Sequence, residues 1–293
     1  MSASDHSLSS AQFTLFESLD HTELYSKYRP TYPKELYTEG ILSKLQTQNG
    51  VVCLDVACGS GQASFDLASC CKLVIGVDPS VNQIGQAQKR LEGGHVKNVV
   101  FEVGNAENLD VILQKHGILL NGKKSEVFDL ITVAQGLHWF DFKVFFSQVE
   151  RLLKKGGVFA AWCYNTNVFE NEKAQQVLME LYDGEDLKDC WTPRRFIIDD
   201  KYRTIPHVPF SEHVEYSSNT KSTRKITLEN YIGFINTWSA INTYGEKHGQ
   251  EAKNKLMEKF KSKLMEALSL ESDQDEFDFT VILNLLTTKK PLE

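Results

Sequence analysis

The sequence is poor in the features that would place a chain in a membrane, on a metal or against a polyanion. No apolar run reaches the length of about 18 residues that a spanning helix needs, and the opening residues MSASDHSLSS have neither the basic nor the apolar region of a secretory leader. A cytoplasmic protein with no membrane partner is expected. Its six cysteines lie within apolar segments (Cys53, Cys163) or side by side (Cys70, Cys71), never in paired Cys-x-x-Cys spacing. Reduced, buried thiols and no bound metal are expected. Basic charge is in deficit, 32 Lys and Arg against 39 Asp and Glu, for a net charge of -7. A general nucleic-acid binder needs a basic face to neutralise phosphates, so a small-molecule partner is expected and a nucleic acid is not. Two phosphate-binding patterns are missing as well. The G-x-G-x-x-G fingerprint fails because the third position counted from Gly59 is Ser64, and no G-x-x-x-x-G-K-[ST] loop occurs.

Apolar material is plentiful: 41% of the 293 residues are hydrophobic, enough for a sizeable core in one large α/β domain or two smaller ones. Runs rich in β-branched or aromatic residues occur at 51–56, 73–77, 99–103, 128–134 and 158–162, with helix-length segments between them. After Asp78, Ser80 and Gln83 fit a capping box, and Val81, Ile84, Ala87 and Leu91 recur at helical spacing. Near-continuous apolar strands alternating with helices imply a parallel sheet covered on both faces. From about 165 to 225 the pattern lapses into a polar, aromatic and proline-containing stretch, which includes Trp191-Thr192-Pro193-Arg194-Arg195 and reads as a cap over the strand ends. Within it, 221–225 reads as a solvated strand face. Beyond it, 228–239 reads as a helix, Leu256, Phe260, Leu264 and Leu268 form the core stripe of another, and 279–286 is a last strand.

At the end of the first apolar run stands Asp55-Val56-Ala57-Cys58-Gly59-Ser60-Gly61. In an open α/β sheet, ligands bind outside the carboxyl ends of the strands where the strand order reverses, and glycines there let the backbone approach a ligand closely. A dinucleotide site and a nucleoside site without a pyrophosphate compete for this turn, and the missing phosphate patterns favour the second. Asp78, 17 residues beyond Gly61, can accept hydrogen bonds from both hydroxyls of a ribose.

These residues resemble the class I S-adenosylmethionine-dependent methyltransferases. Residues 55–61 are similar to that family's glycine motif, with Ala57 in place of the usual first glycine. Asp78, followed by Pro79, resembles its ribose-binding acid, Gly104-Asn105-Ala106-Glu107 the loop that borders the adenine, and Ala134-Gln135 the contact with the methionine end. A closer likeness, to the trans-aconitate methyltransferase type of small-molecule enzymes, rests on 25–33, 134–141, 152–157 and 237–239. The resemblance implies a Rossmann-like fold: a doubly wound, mostly parallel seven-stranded sheet with helices on both faces. It also implies an N-terminal lid over 1–35, a cofactor-binding core over 36–164, a cap over 165–227 and a C-terminal segment over 228–293 that completes the core. The implied activity is methyl transfer from S-adenosylmethionine to a small molecule, releasing S-adenosylhomocysteine, with a carboxylate acceptor and a methyl ester product by the subfamily likeness. A nitrogen- or hydroxyl-directed enzyme is the alternative. Binding of the cofactor without turnover is a third reading, because Gly59, Gly61 and Asp78 serve binding and not transfer. Methylation of DNA bases or protein amides is disfavoured, since no [DN]-P-P-[YF] stretch follows the fourth apolar run.

A methyl group on a sulfonium is already a strong electrophile, so the protein's task is to align a nucleophile and exclude water. A carboxylate, ionised at neutral pH, needs donors; a hydroxyl or ammonium needs a proton removed. His138 and Trp139, just past the fourth run, stand where the resemblance places the transferred methyl. A histidine there can donate to the acceptor or act as a base, and an indole supplies an apolar wall; packing of the loop beneath the cap is the alternative. Tyr25, Tyr28 and Tyr32 with Arg29 can close over the site, Tyr25 and Arg29 on the methionine portion and Tyr28 toward the substrate; surface docking of a helix start ended by Pro30 is the equal alternative. Arg194 and Arg195 are candidates for holding an acidic substrate, and Trp238 for lining the same cavity; a solvated loop for the arginines and core packing for Trp238 are the alternatives.

Overall fold

The structure, a computed structural model, describes residues 30–117 and 126–293. Tyr25, Tyr28 and Arg29 of the expected lid lie outside the described residues. The chain enters the sheet at β1 (Val52–Val56), and α1 (Gln62–Ala68) carries it to β2 (Leu73–Asp78), parallel to β1. From there α2 (Val81–Glu92) leads to β3 (Val99–Val103), parallel to β2. The chain then crosses back: α3 (Asp110–Lys115) precedes β4 (Phe128–Ala134) on the other side of β1, and α4 (Phe142–Leu152) leads to β5 (Leu153–Cys163), parallel to β4. Strand order therefore reverses between β1 and β4, and the loops leaving these strands part to open a crevice at their carboxyl ends.

The elements follow from their side chains. Along the strands, Cys53, Val74, Leu130 and Trp162 enter the core on one face of the sheet, while Leu54, Ile75, Ile131 and Phe159 enter the core on the other. That is the two-residue period of a pleated strand buried on both sides. α2 starts at Ser80, whose hydroxyl accepts the Gln83 N–H at 3.3 Å. Ile84 and Ala87 face the core, but Val81 is 69% exposed, so the apolar stripe begins one turn later than its spacing suggests. α4 is capped by Asp141, which accepts the Val144 N–H at 3.0 Å, and buries Phe145, Phe146, Val149 and Leu152 along one helical face.

The second half of the chain comprises β6 (Asn167–Val168), α5 (Glu172–Tyr182), α6 (Arg195–Asp199), β7 (Glu215–Thr227), α7 (Leu228–Asn236), α8 (Ser239–His248), α9 (Gln250–Leu268) and β8 (Glu276–Lys289). β8 runs antiparallel to β5, to β6 further along the same edge, and to β7 on its opposite edge. Among the described residues the sheet has eight strands: the expected doubly wound arrangement of seven, plus the two-residue β6 that prolongs the β5 edge. β7 departs from the cap reading. Its sequence has no apolar run, yet it pairs with β8 from Glu215 to Thr227, with an irregularity between Ser217 and Thr220. Lys221, Thr223 and Lys225 are exposed at alternate positions, the solvated strand face expected of them. In α9, Leu256, Phe260 and Leu264 are buried in the core. No helix among the described residues is long and apolar enough to cross a membrane.

Candidate active site

Asp55 lies fully buried beneath the glycine turn and takes a hydrogen bond on each oxygen, from Ser64 Oγ at 2.6 Å and Thr132 Oγ1 at 2.8 Å. It thereby ties α1 and β4 to β1. Ser64, standing where a dinucleotide site has its third glycine, uses its hydroxyl for this brace. Burial, opposed by the two hydroxyls, pushes the Asp55 carboxyl up to about 6. Above it the chain turns through Ala57, Gly59 and Gly61 at φ of 56°, 57° and 85°. Gly61 has no room for a side chain, because a Cβ would meet Phe101 Cζ at 2.7 Å. Ala57 is accommodated in its left-handed conformation because Gly136, in the loop after β4, faces its methyl; a Cβ on Gly136 would lie 2.6 Å from Ala57 Cβ.

Asp78 accepts the Gly59 N–H and the Ser80 N–H, both at 2.9 Å, one on each carboxylate oxygen. It braces the turn and keeps lone pairs for a further donor. Burial, against these two N–H groups, pushes its carboxyl up to about 6. Two buried polar atoms of neighbouring glutamines have no hydrogen-bond partner, Gln62 Nε2 and Gln83 Oε1. Both side chains reach the turn, each Oε1 standing 3.8 Å from where a Gly59 Cβ would be. A carboxylate, an unsatisfied donor and an unsatisfied acceptor around one left-handed turn fit the polar edges of a nucleoside. Pro79 follows Asp78 partly buried, and the Gly104 N–H, donated to the Asp78 carbonyl at 3.0 Å, brings the next loop alongside. In that loop Asn105 is exposed and Ala106 buried, and Glu107 Oε1 accepts the Asp141 N–H at 3.2 Å, anchoring the start of α4.

β4 ends at Ala134, and Gln135 turns the chain at φ 56°. Its Nε2 donates to the Tyr164 carbonyl at 2.9 Å and its Oε1 accepts the Tyr164 N–H at 3.2 Å, so its amide clamps the exit of β4 to that of β5. Leu137–Trp139 form a single 3-10 turn in which His138 is buried and Trp139 partly buried, their rings 4.8 Å apart. Arg194 holds this turn from the cap: one terminal nitrogen donates to the His138 carbonyl at 2.8 Å and the Phe140 carbonyl at 2.9 Å.

Gln135, His138, Trp139, Tyr164 and Asn165 form the sheet side of a cleft. Its cap side is Tyr182, Trp191, Thr192 and Arg195, and Thr237, Trp238 and Ser239 close it where α7 meets α8. Tyr182, Trp191 and Trp238 pack on one another with ring centroids 4.8, 5.4 and 5.7 Å apart. The Arg195 guanidinium lies 4.1 Å from the Tyr182 ring centroid and 4.8 Å from that of Trp191. Its Nε donates to Asp199 at 2.8 Å, and a terminal nitrogen pairs with Asp183. Among the described residues no group of three or more His, Cys, Asp or Glu side chains could hold a metal.

Asp55, Ala57, Gly59, Gly61, Asp78 and Ala106 thus gather around the glycine turn, while His138, Trp139, Arg195 and Trp238 meet in the cleft. Gln135 and Gly136 join the two. Arg194 stands behind the His138 turn. Sequence reasoning missed Gln62 and Gln83, whose orphaned atoms emerge only with the fold, and Tyr164, Tyr182 and Trp191, marked beforehand only by the aromatic content of their segment.

A switch-point crevice, a left-handed glycine turn and a carboxylate at the end of β2 are the features expected of the nucleoside site in a class I S-adenosylmethionine-dependent methyltransferase. A sequence profile described as a methyltransferase domain matches residues 47–206, more than half of the chain, which belongs to that family. A Dictyostelium discoideum protein named as a methyltransferase is 32% identical over 220 residues, 73% of each chain. A Saccharomyces cerevisiae protein named as an S-adenosylmethionine-dependent methyltransferase is 25% identical over 251 residues, 75% of this chain and 79% of its own. The solved structure of an Anaeromyxobacter dehalogenans protein described as a type II methyltransferase superposes with a TM-score of 0.71 at 26% identity, covering 90% of this chain and 99% of that one.

Proposed function

We propose that the chain transfers the methyl group of S-adenosylmethionine to a small molecule seated in the aromatic cleft. The observation that carries this reading is the position of the cleft: Gln135 lines it, and the next residue, Gly136, lies against Ala57 of the glycine turn. The cofactor, when bound, supplies a methyl group already activated by the sulfonium. Asp78 would hold the ribose hydroxyls, Gly59 and Gly61 would let the backbone close on the nucleoside, and Gln62 Nε2 and Gln83 Oε1 would find partners on its polar edges. Trp139 and the cap aromatics keep water out and orient the acceptor, and alignment of two reactants is worth roughly 7–11 kcal/mol. His138 would meet the acceptor's polar atom.

The ester-forming reading asks Arg194 and Arg195 to meet an acid. Arg194 is turned to two carbonyls and Arg195 to two carboxylates, so an acid would have to displace these contacts. An uncharged acceptor would not. The test is release of S-adenosylhomocysteine from S-adenosylmethionine across panels of small carboxylic acids, phenols and amines. Turnover on one of these panels is expected; methylation of RNA or protein with none of any small molecule would overturn the proposal.

A further inference from the structure

Tyr182 and Asp199 form a pair that the reading above does not use. Tyr182 ends α5 and lines the cleft; Asp199 ends α6, whose Arg195 and Ile198 line the same cleft. The phenol O–H donates to Asp199 Oδ1 at 2.7 Å, and with the Arg195 guanidinium beside it the phenolic oxygen keeps one lone pair for a donor arriving from the cleft. Its ring is held by Trp191, Trp238 and the guanidinium of Arg195, and Asp199 is fixed in turn by Arg195 Nε at 2.8 Å. Because Arg195 also pairs with Asp183, one cation faces two anions beside Tyr182. That balance disfavours a bound anion beside the Tyr182 ring.

We propose that Tyr182, backed by Asp199, receives the proton of the methyl acceptor, and that the acceptor is a small molecule bearing a hydroxyl or an amine rather than a carboxylate. This rests on the methyl-transfer reading above. A lone pair on the acceptor oxygen or nitrogen forms the new bond to the methyl carbon as the carbon–sulfur bond breaks, its electron pair going to sulfur. The acceptor's proton goes to the Tyr182 oxygen while the Tyr182 O–H proton goes to Asp199. Asp199, with its side chain 27% exposed, returns that proton to water.

Trp139, Trp191 and Trp238 line the cleft, so binding can be followed by tryptophan fluorescence without turnover. Protein saturated with S-adenosylhomocysteine is titrated with phenol, aniline and benzoate, as wild type, Tyr182→Phe and Asp199→Asn. Phenol and aniline are expected to bind wild type more tightly than benzoate, and Tyr182→Phe to weaken both about tenfold while leaving benzoate unchanged. On a hydroxyl or amine acceptor that turns over, both variants are expected to lower kcat by about 100-fold or more, with far smaller changes in KM, S-adenosylhomocysteine affinity and unfolding midpoint. Tyr182→Phe keeps every ring contact and Asp199→Asn keeps an acceptor for the Tyr182 O–H, so loss in both separates proton removal from packing. Tighter binding of benzoate, failure of phenol and aniline to bind, or full activity in Tyr182→Phe would overturn the proposal. Failure of wild type to bind S-adenosylhomocysteine is a different result, and would overturn the methyl-transfer reading and this one with it.

Discussion

Ala57 and Gly136 contest the space of a single methyl group. With Ala57 at φ 56° and no room for a second Cβ opposite, Gly136→Ala is expected to cost about 1–3 kcal/mol through overpacking and to lower the unfolding midpoint. Ala57→Gly in the same chain frees that space and relieves the left-handed alanine, so the double variant should recover most of the loss; a double-mutant cycle measures the coupling. The two buried carboxylates make a pH prediction. Burial raises Asp55 and Asp78 from the ordinary 3.8 to about 6, so the folded chain holds protons that the unfolded chain has released. Their contribution to stability is complete below about pH 4 and is lost as pH rises through about 6, a cost of about 3 kcal/mol for each group at neutral pH. The unfolding midpoint of the ligand-free protein should therefore rise on acidification from about pH 7.5 to 5.5, and Asp55→Asn should blunt that rise. Cofactor binding runs the other way. On the proposed reading, ribose hydroxyls would donate to the ionised form of Asp78, so calorimetry should find S-adenosylhomocysteine bound more weakly as pH falls below about 6.

The 3-10 turn Leu137–Trp139 is too short to hold itself, and Arg194 supplies the missing bonds through two carbonyls. Arg194→Met should leave S-adenosylhomocysteine affinity unchanged and slow methyl transfer by roughly 10-fold or more, since losing these hydrogen bonds from a charged donor lets His138 and Trp139 shift; steady-state kinetics beside calorimetry checks it. At this scale, legibility tracked burial. β1 to β5 were readable because burial on two faces writes a continuous apolar run, and α2 because its cap and stripe are local. β7 left no such mark: it is an outer strand whose Lys221, Thr223 and Lys225 meet water on alternate residues, so its pairing is dictated by β8. β6 is too short for any period to register. The helix read over 228–239 divides at Thr237, and Trp238 precedes the first turn of α8 with its ring buried against the cap.

Across the whole molecule, the glycine turn and the aromatic cleft differ in how far apart their parts lie in the chain. The turn, Asp55 and Asp78 fall within one β-α-β unit, so their spacing announces them. The cleft draws on 135–139, 164–165, 182–198 and 237–239, four stretches with no mutual spacing rule, and for that reason the sequence could name His138, Trp139, Arg195 and Trp238 but not the roles their neighbours assign them. Arg195 shows the difference: in sequence it is a candidate for holding an acidic substrate, in the fold it is stacked on two rings and paired with two carboxylates. The claim on which the rest depends is that the glycine turn and Asp78 hold S-adenosylmethionine. Calorimetric titration of wild type and Asp78→Ala with S-adenosylhomocysteine, with NAD as the control ligand, tests it most directly. Loss of a charged hydrogen-bond acceptor for the ribose costs roughly 1.5–3 kcal/mol, so saturable binding to wild type and at least about tenfold weaker binding to Asp78→Ala are predicted, with no response to NAD. Binding of NAD without S-adenosylhomocysteine, or an affinity that the substitution leaves unchanged, would contradict it.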